Sequence, residues 1–201
     1  MAFPSFFSEV PPIILRDRLA EFLGAADGGL IEYQYADVVK LAGHSCPTVA
    51  GAYLMTSRAL AALYGDDMPE RGDIQIDFRE SQSTGVVGVT ASVIGMLTGA
   101  AGIGGFKGLA GNFSRRDLLR FDSELPGEVR FTRLDNGDSL SAELQLGHIP
   151  PDPRMGPLLQ RLLTGERDTV MAEVFATLWQ DRVRQILVDH FDDPETVRLS
   201  R

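Results

Sequence analysis

The chain of 201 residues holds one cysteine, one tryptophan and three histidines. Its only lysines are Lys40 and Lys107. A single cysteine excludes an internal disulfide and also the paired CxxC arrangement of a zinc ribbon. Positive charge is in deficit as well: 19 Lys and Arg stand against 28 Asp and Glu, a formal charge of −9. That balance argues against nucleic acid as a partner, because neutralising phosphates needs a clustered basic face. The first ten residues lack the basic start and continuous apolar run of a signal peptide. The one long uncharged run, Val86 to Phe106, contains Gly88, Gly95, Gly99, Gly102, Gly104 and Gly105. Glycine costs roughly 1 kcal/mol per residue in a helix relative to alanine, and the run lacks the flanking aromatic and basic anchors of a span. The expectation is a cytoplasmic protein without a membrane segment.

What remains is an ordinary globular composition, 44% hydrophobic and 23% charged, sized for one domain over residues 1–201. Ile14, Leu15, Leu19 and Leu23 recur at helical spacing and predict a helix over Ile13 to Leu23. Alternation from Ile31 suggests an extended segment to Val39. Pro47 and Gly65 bracket an apolar stripe and predict a helix between them. Asp73 to Arg79 alternates as a half-buried strand, Val86 to Leu97 reads as a buried helix, and Arg116 to Phe121 reads as a strand. Asn136-Gly137 favours a two-residue I′ turn between strands Glu128–Leu134 and Asp138–Leu146. That turn would put Phe131 opposite Ala142, Val129 opposite Leu144 and Arg130 opposite Glu143. A short helix near Gly156 to Leu163 and a long one over Thr169 to His190 follow. The fold class expected is α+β: an antiparallel sheet of about four to five strands, helices on one face and a long C-terminal helix.

Chemistry concentrates at Gly43-His44-Ser45-Cys46-Pro47. An imidazole and a thiolate two residues apart, ahead of a helix, are suited to zinc or another divalent transition metal. Cys46 occupies the N-cap, where the helix dipole favours a thiolate, so His44 and Cys46 are also candidates for a metal-free nucleophilic pair. A packed core thiol is the third alternative. The glycine-rich stretch Thr98 to Asn112 matches neither a P-loop nor a dinucleotide fingerprint. Its Gly105, Gly108 and Asn112, with Lys107 as an anion contact, are candidates for holding a small-molecule ligand or cofactor. His148, near Pro150, and His190, in the last helical turn, read as structural, and Asp189 to Glu195 as a solvated helix end.

The segment Ala42 to Tyr53, with its Gly-His-x-Cys-Pro core, resembles the motif of the formylmethanofuran dehydrogenase E-subunit family. The order of elements over about residues 35 to 190 is similar too. The resemblance implies an α+β core, a homodimer, and an active or metal site at His44 and Cys46. It leaves three functions open: a metal-binding, enzyme-like protein; a carrier of a pterin, haem or similar organic cofactor; and a Cys46-dependent transferase without metal.

Overall fold

A computed structural model describes residues 3–165 and 168–201. Its centre is helix α3, Pro47–Tyr64, begun by Cys46 at the N-cap with proline in the first turn and ended at Gly65. Val49, Ala50, Tyr53, Leu54, Ala59 and Leu60 are all buried, because α3 is covered from several sides. At Gly51 an added Cβ would lie 2.2 Å from Leu144 Cδ2, so glycine lets the helix sit directly on the sheet.

Before α3 come strand β1 (Ile13–Arg16), helix α1 (Arg18–Phe22), strand β2 (Leu30–Tyr33) and helix α2 (Tyr35–Ala42). Two expectations fail here. The single helix over Ile13 to Leu23 is divided at Asp17, whose carboxylate caps α1 by accepting from Leu19 N (3.0 Å) and Ala20 N (3.1 Å). Ile13 and Leu15 are buried while Ile14 is exposed, the period of a strand rather than a helix. Likewise the extended segment stops at Tyr33. Asp37 accepts from Gln34 N at 3.0 Å and starts α2, a capping arrangement that the alternation of Ile31, Tyr33 and Tyr35 conceals.

After α3 follow β3 (Ile74–Phe78), α4 (Val87–Thr98), β4 (Leu119–Arg120), β5 (Val129–Arg133), β6 (Ser139–Leu144), α5 (Met155–Leu163), α6 (Thr169–Arg184) and β7 (Val197–Ser200). The architecture is α+β. The sheet order is β4-β3-β5-β6-β7, with a separate β1–β2 hairpin. The sheet is mixed rather than antiparallel, because β4 runs parallel to β3: α4 and the glycine loop form a crossover between them. The strand expected over Arg116 to Phe121 is thereby reduced to two paired residues. Ile74, Ile76, Val129, Phe131, Leu140 and Ala142 bury the face under α3 and α4. The opposite face carries Gln75, Asp77, Arg130, Thr132 and Glu143, as period-two alternation requires.

The β5–β6 hairpin keeps the expected face and changes the register by two residues. Phe131 lies opposite Leu140, Val129 opposite Ala142 and Arg130 opposite Ser141. An I′ turn needs positive φ at both central residues, and of the Asn136-Gly137 pair only Gly137 (φ 80°) has it. The loop is instead closed by Gly137 N donating to Arg133 O (3.0 Å) and Arg133 N donating to Asp138 O (2.8 Å). The wider loop brings Asp135 onto the Arg133 guanidinium at 2.6 Å. Arg133 also donates to Leu63 O at 3.1 Å, so an arginine on the inner face is satisfied. Arg130 pairs with Asp77, at 3.5 Å, instead of Glu143.

The helix α4 is buried along Ala91, Val93, Ile94 and Leu97, as its uncharged sequence predicts. No helix among the described residues is long and apolar enough to cross a membrane. At the other end α6 passes into a π turn, Gln185–Asp189. The chain then turns back and adds β7 to the edge of the sheet, pairing Ala142 with Leu199 and Glu143 with Arg198. The expectation of a solvated acidic end omits this strand.

Candidate metal centre

The return from the π turn to β7 builds the one group of three or more His, Cys, Asp or Glu side chains, among the described residues, that can share a metal ion: His148, His190 and Asp193. Their ligand atoms all lie within 4.8 Å of one another. His190 is placed by the widened helix end, where its N–H donates to Gln185 O at 2.9 Å, five residues back. Such π turns recur at functional sites. Arg58, on α3, donates to Phe191 O at 2.9 Å and fastens the turn to the central helix. Thr196 N donates to Asp193 O at 3.1 Å, and Gln145 N donates to Thr196 O at 2.9 Å. On the other side, Arg182 of α6 donates to Ile149 O at 3.1 Å and holds the segment carrying His148. Both chain segments that carry the three side chains are therefore fixed independently of any ion.

Asp193 is the hub. Its Oδ2 lies 3.0 Å from His190 Nδ1 and 3.3 Å from His148 Nε2. The two rings meet edge to face, centroids 5.4 Å apart. Thr196, fully buried, places Oγ1 3.1 Å from His148 Nε2. The His190 hydrogen bond and the Glu195 N–H hold the Asp193 carboxyl below its usual range, and the neighbouring His148 acts in the same direction. The three side chains are each 26–34% exposed, so the cluster is open to solvent on one side.

The geometry at His44 and Cys46 is different. Gly43 ends α2 in the left-handed region, φ 75°, and the chain bends before Cys46. His44 is exposed, with Nδ1 2.9 Å from Ala42 O. Cys46 is buried, and its Sγ accepts from Val49 N at 3.5 Å. Between them, Ser45 O accepts from Trp179 Nε1 (2.9 Å) and Gln180 Nε2 (3.3 Å), tying the motif to α6. The two side chains therefore take separate partners, one at the surface and one in the core, and neither belongs to a group of three or more metal-ligating side chains among the described residues.

The glycine-rich stretch folds upon itself. An added Cβ at Gly105 would meet Arg115 O at 2.9 Å, and one at Gly108 (φ 89°) would meet Asn112 O at 2.3 Å. These glycines therefore serve close packing within the loop. Lys107 is exposed. Asn112 does line a cavity, with Arg18, Arg71, Gly72, Asp73, Phe113 and Arg115, and Lys107 is not in its wall.

Sequence reasoning misses His148, His190 and Asp193 because it takes each within its own segment. The signal available is His190-x-x-Asp193, two ligand types one turn apart just beyond a helix. A scan of the chain against family models finds none that matches, and a search of curated proteins finds no match either.

Proposed function

We propose that this protein binds a divalent transition metal, zinc foremost, through His148, His190 and Asp193. The observation that carries the reading is one carboxylate oxygen standing 3.0 and 3.3 Å from two imidazole nitrogens. A tetrahedral zinc with bonds of about 2.0–2.1 Å sets its ligands about 3.3 Å apart. Two of the three edges of the ligand triangle are thus already near the required length. The donor set, two imidazoles and a carboxylate, also suits zinc rather than calcium or magnesium.

Three protein ligands leave a fourth position open, the arrangement associated with activated water rather than with a closed structural site. Among this chain's residues, Asp193 and His190 would hold the ion from the C-terminal return, and His148 from the β6–α5 connection. Thr196 Oγ1 would compete for His148 Nε2 in the metal-free state. Binding also joins two segments of chain far apart in sequence, so it stabilises the docking of β7.

Isothermal titration and elemental analysis of protein purified without a histidine tag test the reading. One zinc per chain is expected in the wild type, its loss in Asp193→Asn and His190→Ala, and its retention in His44→Ala and Cys46→Ser. Retention in Asp193→Asn with loss in Cys46→Ser would move the site to His44 and Cys46.

A further inference from the structure

A second site stands apart from the histidines. Asp17 is buried between two guanidiniums: Arg71 Nη1 lies 2.7 Å from Oδ2 and Arg115 Nη2 lies 2.7 Å from Oδ1. Arg115 donates also to Arg71 O at 2.6 Å, and Arg71 to Met96 O at 2.8 Å. Arg115 is seated in a cradle that only glycine allows, because an added Cβ on Gly72 would lie 0.9 Å from its Nη1. Side-chain exposures of 5% for Asp17 and 10% for Arg115 place the group out of water.

The charges in this group do not balance. Arg18 lies 3.2 Å from Glu70 and 3.7 Å from Asp73, and Arg16 also pairs with Glu70. The buried triad holds Arg71 and Arg115 against Asp17 alone, one positive charge in excess, while the neighbouring Arg16 and Arg18 are matched by Glu70 and Asp73. Arg71 Nε is buried without a partner. Burial of an uncompensated charge is costly unless an opposite charge is supplied. The desolvation shows at Arg115, whose pKa is lowered by burial despite the neighbouring Asp17.

Space for a counter-charge adjoins the network. Arg18, Arg71 and Arg115, with Gly72, Asp73, Asn112 and Phe113, line a cavity of ≈ 170 Å³. Phe113 lies with its ring 5.5 Å from that of Phe22, which is 67% exposed, so an apolar rim stands beside a wall of three guanidiniums and the Asp73 carboxylate. We propose that this cavity binds a phosphate group, free or as a small monoester. Guanidiniums match the oxygens of such an anion by paired hydrogen bonds, and a tetrahedral phosphate can accept from more than one arginine at once where a planar carboxylate cannot reach as many. The glycine loop then has a role: it covers Arg115 and brings Asn112 and Phe113 to the opening.

The test is titration of the full chain with inorganic phosphate, phenyl phosphate and acetate, followed by amide shifts and calorimetry. Saturable phosphate binding with Kd of about 1 mM or tighter is expected, with shifts at Gly72, Phe113 and Arg115. Arg18→Gln, at an exposed position, should weaken it about tenfold. Asn112→Asp, which adds a like charge at the rim without changing side-chain shape, should abolish it while leaving the melting temperature in place. Tighter binding of phenyl phosphate, lost in Phe22→Ala, would assign a monoester; equal binding would assign free phosphate. The proposal fails if phosphate does not saturate below about 10 mM, if acetate binds as tightly, or if neither variant weakens binding.

Discussion

His44 with Cys46, and His148 with His190 and Asp193, use the same chemical vocabulary and end in opposite arrangements. The first pair is two residues apart, yet His44 faces solvent and Cys46 the core. The second group is dispersed from His148 to Asp193, yet its donor atoms converge on one carboxylate oxygen. The difference is made by backbone. At residues 43–46 a left-handed glycine and a helix N-cap turn neighbouring side chains in different directions. At residues 185–196 a π turn and a return strand bring ends of different elements together. Nearness along the chain is therefore a poor substitute for a shared direction.

The largest expected effect separates the two regions at once. His190→Ala removes one of three ligands and should weaken zinc by more than about 100-fold, the upper end of the loss found when merely supporting groups are removed. His44→Ala should leave affinity within about twofold. Equal losses in both variants, measured by competition with a chromogenic chelator, would erase the contrast.

Next in size is the stability gained on binding. Zinc held at about 100 times its Kd adds about 2.7 kcal/mol to the folded state, which for a chain of this length raises the melting temperature by about 5–10 °C. Calorimetry should show that rise in wild type and Cys46→Ser and none in His190→Ala. Hydrogen exchange should slow in β7 on binding, because Asp193 lies just ahead of that strand.

Much of the fold is legible in the sequence, and the reason is local. The bounds of α3 follow from Pro47 and Gly65, and those of β3 from strict alternation. The inner face of β5 and β6 follows from Val129, Phe131, Ala142 and Leu144. What escapes depends on distant partners. Asp17 looks like an ordinary charge until Arg71 and Arg115 reach it from far along the chain. The hairpin register departs by two residues from a two-residue turn because Arg133, on the inner face, needs Asp135 and Leu63 O more than the turn needs an I′ geometry. His148 gains a role only when β7 folds back, and a four-residue strand after an acidic turn leaves little pattern to detect.

A smaller effect tests the metal-free cluster. Asp193 is held below its ordinary value near 3.8, first by His190 and the Glu195 N–H. A carboxyl depressed by folding contributes stability that is present above its unfolded pKa and lost as pH falls through its folded one. In the presence of a chelator, wild type and Asp193→Asn should differ in urea stability near neutrality, and that difference should shrink below about pH 4. A difference that stays constant down to about pH 2 would show that Asp193 acts through packing rather than charge.

The smallest effect isolates what Cys46 does. Its sulfur accepts from Val49 N at 3.5 Å, capping α3 in a buried position. Cys46→Ser keeps an acceptor of better hydrogen-bonding character but places a hydroxyl in an apolar site, two changes of opposite sign. Cys46→Ala removes the acceptor and leaves one more unsatisfied N–H at the helix start. The cap is worth about 1 kcal/mol, so urea denaturation should find Cys46→Ala less stable by about that amount and Cys46→Ser within about 1 kcal/mol of wild type. Both variants should bind zinc as the wild type does, because neither change touches the segments that carry His148, His190 and Asp193. If Cys46→Ala keeps full stability but loses metal, the sulfur is a ligand and the contrast between the two regions collapses. If it loses stability and keeps metal, Cys46 is a helix cap, and the transition-metal chemistry of this chain resides at its C-terminal return.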